Sequence, residues 1–152
     1  MQKFHFKLQP LLNKERIYED ECVGRLRIIQ DKLKNEEDKI ENLKRCRIAS
    51  ENELKSKKKH EISSDELRAY ECYFAKLISG IDACEAKKQE ISKELIAVQD
   101  ELFKIIKRRK ALEKLMDRWE IEHKNHLAFL SNKEMDDIAM TKFTNKLVVD
   151  ND

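Results

Sequence analysis

From Leu67 to Leu130 the side chains return to one face in alternating steps of three and four. The rungs are Leu67, Tyr70, Phe74, Leu77, Ile81, Cys84, Lys88, Ile91, Leu95, Val98, Leu102, Ile105, Arg109, Leu112, Met116, Trp119, His123, His126 and Leu130. All but Lys88, Arg109, His123 and His126 are apolar. A 3.5-residue repeat sustained this long predicts a coiled-coil seam. No Pro interrupts it and Gly80 is its one glycine, so a single helix is expected over about 64–145. At about 1.5 Å per residue the ladder would run on the order of 100 Å, too long to bury its stripe without a partner helix.

The first third of the chain carries a matching pattern. Lys3, Phe4, His5, Phe6, Lys7 and Leu8 alternate with a period of two, which predicts an extended lead-in. Pro10 suits the first turn of a helix, where its missing N–H costs nothing. A second ladder follows, with Leu12, Glu19, Leu26, Leu33, Ile40, Arg47 and Leu54 in one set and Leu8, Glu15, Cys22, Ile29, Glu36, Leu43 and Ser50 in the other. It is the weaker ladder and predicts a helix over about 9–56. A lysine-rich link, Lys55 to His60, then precedes Ser63 and Glu66, which have the spacing of a capping box. With a turn over about 57–63, the expected architecture is all-α. Two long helices form an antiparallel coiled-coil hairpin, one domain over 1–152, and the second helix overhangs the first. The lysine run reads as a solvated tip.

Charge separates two possible registers. One buries Glu36 against Ile81 and Lys88 against Ile29. The other sets Glu36 opposite Lys88 and Glu15 opposite Arg109, with Leu12 facing Leu112, Leu33 facing Ile91 and Leu43 facing Ile81. An unpaired buried charge costs several kcal/mol, about 3–5, so the second is expected. Helix 1 then runs out opposite about residue 116. Trp119, Leu127, Phe129, Leu130, Met135, Ile138, Met140 and Phe143 fall on the overhang, and apolar surface of that extent marks a partner site. Residues 1–8 could fold back along part of it, with Phe4 or Phe6 against Trp119, without reaching its far end.

Composition changes the picture little. The chain is 41% charged with a net charge of +2, and it has two Gly and one Pro, which leaves little from which to build turns. Balanced charge gives no basis for nucleic-acid binding. No apolar run has the length of a membrane span, and the opening MQKFHFKLQP lacks the apolar region of a signal peptide, so a cytoplasmic protein without membrane insertion is expected. Its four cysteines lack CxxC spacing and read as reduced thiols. Neither a phosphate-binding glycine loop nor a GxSxG or HExxH motif occurs. His123 and His126 lie three apart, but two ligands on a helix do not make a metal site. No enzyme activity, cofactor or metal is expected.

Two patches stand out. Lys104, Lys107, Arg108, Arg109 and Lys110 are basic and could meet an acidic ring or groove, or pair along their own helix. After the turn, Tyr73, Leu77 and Gly80 lie beside Phe74, Ile81 and Cys84. A mid-helix Gly costs about 1 kcal/mol against Ala, and close approach of a partner would account for it.

Several segments carry a family resemblance. Phe4-x-Phe6-x-Leu8-Gln9-Pro10-Leu11-Leu12 resembles the start of FliJ-family flagellar export proteins. So do Tyr70-x-x-Tyr73-Phe74-x-x-Leu77-x-x-x-Ile81, Lys110-Ala111-Leu112-Glu113-Lys114-Leu115, and Lys133-Glu134-Met135-Asp136-Asp137-Ile138-Ala139. The resemblance implies a component of the flagellar type III export apparatus, an antiparallel coiled coil similar to the central-stalk subunit of rotary ATPases. Its implied partners are the hexameric export ATPase, the cytoplasmic part of the membrane export gate, and export chaperones. It implies a location in the cytoplasm, at the periphery of the inner-membrane export apparatus. Carried over by position, Tyr73, Leu77, Gly80 and Cys84 would contact the gate. Leu12, Glu15, Lys104, Arg108, Leu112, Met135, Ile138 and Phe143 would contact the ATPase.

The rivals are the equivalent stalk of a virulence injectisome, which shares fold and mechanism, and a homodimeric coiled-coil scaffold. A prefoldin-like chaperone would need strand signals between the helices, and none occurs.

Overall fold

The computed structural model describes residues 3–151; Met1, Gln2 and Asp152, and with the first two the beginning of the segment expected to fold back, lie outside the described residues. Two helices account for nearly all of it, α1 over Gln9–Lys58 and α2 over Ser64–Asp150, with no strand among the described residues. The fold is all-α, two long helices packed against each other in antiparallel fashion.

Local chemistry sets the helix ends. The Gln9 N–H donates to the Phe6 carbonyl at 3.1 Å and the Leu12 N–H to the Leu8 carbonyl at 3.0 Å, so the lead-in turns directly into α1. Pro10 occupies the first turn, where no intrahelical donor is lost. Lys55, Lys57 and Lys58 fill the last turn of α1, at the negative end of its dipole. Ser63 caps α2: its hydroxyl accepts the Glu66 N–H at 3.2 Å and its carbonyl accepts the Leu67 N–H at 3.1 Å. Asp65 and Glu66 complement the positive end of α2. The helix continues to Asp150, past the expected end near 145.

The chain forms two compact units, Tyr18–Lys104 and Met1–Ile17 with Ile105–Asp152. In the first, Cys22, Ile29 and Ile40 of α1 and Leu77, Ile81 and Val98 of α2 are buried, all of them seam rungs. Each such side chain contributes about 1.5–3 kcal/mol when fully buried. The Cys22 thiol donates to the Val98 carbonyl across the two helices at 3.7 Å, and Leu43 lies against Gly80. Arg25 and Glu101 pair at 2.8 Å beside the seam. Arg47, a predicted rung, is instead exposed and pairs with Glu51 at 3.1 Å on its own helix. A guanidinium on a long side chain keeps its hydration by turning outward.

Glu36 is the buried charged residue of this unit, 8% exposed. One of its oxygens meets Lys39 at 3.3 Å, while the other is buried without a protein partner. Lys88 reaches Glu37, the neighbour of Glu36, at 3.7 Å.

In the other unit Phe6, Leu12 and Ile105 are buried, Leu12 completely. The Phe6 ring stands edge-on to Trp119 with centroids 5.4 Å apart, and Phe4 lies tilted on His123 at 5.7 Å. Glu15 is buried and takes Arg108 at 3.3 Å, the neighbour of the predicted Arg109. Arg109 Nη1 donates to both Glu113 oxygens, at 3.0 and 3.1 Å, and Arg16 approaches Glu113 from α1 at 3.5 Å. Beyond His123 the seam loses its cover. His126 and Leu130, counted as rungs from the sequence, are exposed; Leu127 is half-buried, and every residue from 128 to 151 is exposed.

Candidate partner-binding surfaces

The residues singled out from the sequence divide between the two units, and burial sorts them further. In the unit spanning Tyr18–Lys104, Tyr73 is 42% exposed, Leu77 is buried, and Gly80 and Cys84 are half-buried. Tyr73 is thus the residue of this group with the most side chain free to meet a partner. The cause is helical position, since Leu77 is a seam rung and Tyr73 lies one step outside it. Gly80 has an internal explanation. A Cβ built on it would stand 3.4 Å from Leu43 Cδ1, so its bare backbone faces α1 of the same chain.

An aromatic cluster surrounds Tyr73. Its ring lies 6.4 Å from Phe74, and Phe74 lies 6.2 Å from Tyr70. Lys57, in the last turn of α1, places its ammonium 5.3 Å from the Tyr70 ring centre. Its proximity to Tyr70 is the main cause that raises the Lys57 pKa above the ordinary lysine value. Ser50, Glu53, Ala69, Tyr70 and Tyr73 line an open groove here. Helical periodicity alone does not disclose this lysine–tyrosine contact. Its signal was a cation in the last turn of one helix and an aromatic rung in the second turn of the next, a pairing that any short link brings together.

Lys104 belongs to the same unit and is exposed. The remaining predicted ATPase-contact residues belong to the other unit. Leu12 is fully buried and Glu15 nearly so; Leu112 is half-buried. None of the three presents much surface to a partner, so their contribution to the fold is packing and pairing. Arg108 is exposed and held by Glu15. Met135, Ile138 and Phe143 are 66%, 55% and 64% exposed, alongside Phe129, Met140, Leu147, Val148 and Val149. Among the described residues, this C-terminal stretch of α2 holds the largest concentration of exposed apolar side chains. An isolated helix draws little stability from its own propensity, so such a face gains most from a second surface laid against it.

Two carboxylates elsewhere on α2 are held below the usual range. The Arg25 hydrogen bond lowers Glu101, and the Arg109 hydrogen bond, with a smaller contribution from Arg16, lowers Glu113. Among the described residues no group of three His, Cys, Asp or Glu could hold a metal ion, and no helix is long and apolar enough to cross a membrane. His123 is engaged with Phe4, and His126 is exposed.

The family model described as "Flagellar FliJ protein" matches residues 4–147. No curated protein and no solved structure matches the chain.

Proposed function

This chain belongs to the FliJ family of flagellar proteins and is a structural component of the flagellar export apparatus, and from that premise we propose that it is a stalk for the export ATPase. The bare C-terminal stretch of α2 binds the hexameric ATPase ring and promotes its assembly and activity. The surface around Tyr73, with Leu77, Gly80 and Cys84 behind it, contacts the cytoplasmic part of the membrane export gate, and export chaperones are further partners. Its place is the cytoplasm, at the periphery of the inner-membrane export apparatus. Catalysis belongs to the ring.

The observation that carries the ATPase assignment is the run of exposed Phe129, Met135, Ile138, Met140 and Phe143 where α2 has no cover from α1. A single helix end bound in a six-fold ring would contact its subunits unequally. Purified chain mixed with the hexameric export ATPase should co-elute with it and raise its hydrolysis rate, while hydrolysing nothing alone. Separate elution with an unchanged rate would refute the assignment. The family match favours the flagellar setting over the injectisome one.

A further inference from the structure

The residues before α1 cover part of α2. Phe6 is 5% exposed, packed edge-on against Trp119, and Phe4 rests on His123. The cover is lightly built: residues 3–6 are neither helix nor strand, and the hydrogen bond that joins them to α1 is the one from Gln9 N–H to the Phe6 carbonyl. A groove lined by Phe4, His5, Phe6, Gln9, Met116 and Glu120 remains open beside it. Extended segments held by side chains and few backbone hydrogen bonds open at lower free energy than packed helices. Immediately beyond the cover begin Ile121, half-buried Leu127, Phe129 and Leu130, which lead into the bare end of α2. Trp119 is therefore the residue that would extend that apolar surface if the cover lifted. Trp is also the residue type that most often dominates a protein interface.

We propose that residues 3–8 are a displaceable cover that withholds Trp119 from the partner of the C-terminal stretch of α2. The proposal rests on the ATPase reading above for the identity of that partner. While the cover is down, the binding-competent form is a fraction of the population, and the apparent affinity is lowered by that fraction. Lifting it joins Trp119 to the exposed surface beyond and removes that reduction.

Trp119 is the single tryptophan of the chain, so its fluorescence reports the cover directly. The test uses the full chain with Phe4→Ala, which leaves the buried Phe6 in place, and a second variant with Phe4→Ala and Phe6→Ala. Helical circular dichroism establishes that each is folded. Acrylamide quenching of Trp119 should rise in the single variant and about two-fold or more in the double, and both should bind the export ATPase several-fold more tightly than the unmodified chain. Unchanged quenching in folded variants would overturn the cover, whatever the ATPase does. Raised quenching with equal or weaker ATPase binding would overturn its role in withholding Trp119. If neither the unmodified chain nor the variants bind the ATPase, the ATPase reading fails and takes the withholding role with it, while quenching still decides whether the segment shields Trp119.

Discussion

Lys88 ends its side chain on Glu37, at 3.7 Å, and leaves the adjacent and more deeply buried Glu36 to Lys39 of its own helix. A lysine on a seam rung thereby reaches the solvent edge, where pairing requires little dehydration. Glu36 keeps one oxygen buried without a protein partner. Such a group fixes alignment more than it stabilises. Glu36→Leu should therefore raise the unfolding free energy by about 1–4 kcal/mol, measured by urea or thermal unfolding. A loss of stability would mean that the carboxylate contributes more in place than apolar contact would.

Neighbouring leucines separate core from surface. Leu12 is 0% exposed and Leu11 is 44% exposed. Leu12→Ala should cost about 2–5 kcal/mol, and Leu11→Ala about 0.5 kcal/mol or less. Equal losses in chemical denaturation would contradict the register of α1.

Alternating steps of three and four sufficed to locate the seam, because burial on a helix follows angular position and little else. From Leu8 to Leu54 on α1, and from Leu67 to His123 on α2, every rung but Arg47 is buried or half-buried. The cover was legible as two aromatics with nowhere else to go, though it took the structure to give Phe6 to Trp119 and Phe4 to His123. Ion partners were less legible. Glu36 and Arg109 are the more buried of each adjacent pair, as their rungs require, yet Lys88 ends on Glu37 and Glu15 takes Arg108, because long side chains reach partners beyond their own position. Leu12 and Leu77 are buried within the chain, as their rungs require, although both stand in segments that carry the family resemblance. A recurring motif marks structural and functional residues alike.

The glycines give a stability test. Nothing lies within 4 Å of a Cβ built on Gly24, so Gly24→Ala should stabilise the helix by about 1 kcal/mol. Gly80→Ala would meet only the flexible end of Leu43, at 3.4 Å, and should also be tolerated. Destabilisation by Gly24→Ala in a melting experiment would show that its backbone is needed for a contact not made within the chain.

Acid should weaken the fold through Glu101 and Glu113. Their folded pKa values lie below the ordinary carboxylate value, through hydrogen bonds from Arg25 and Arg109 respectively. The stability they contribute is thus present above the unfolded value, about 4.3, and lost as pH falls through the folded values. Glu101→Gln with Glu113→Gln should lie below the unmodified chain in stability at pH 7, by a small and salt-sensitive amount. The two should converge below about pH 4. A gap that widens on acidification would reverse the assignment.

Thiol reactivity should follow exposure. Cys46 and Cys72 are exposed, Cys84 is intermediate and Cys22 is buried. A thiol reagent should label Cys46 and Cys72 first, Cys84 more slowly, and Cys22 only as the chain unfolds. Early labelling of Cys22 would mean that the helices separate around it under native conditions.

A stalk for the export ATPase requires the bare end of α2 to be a binding surface for it. Titrating the purified ATPase with the unmodified chain, with Ile138→Asp and Phe143→Asp together, and with Phe103→Asp as a control tests that most directly. Phe103 is as exposed as Phe143, at 66% against 64%, but lies in the other unit. Affinity should fall at least ten-fold for the double variant and stay unchanged for the control. Equal affinity for all three would contradict the account.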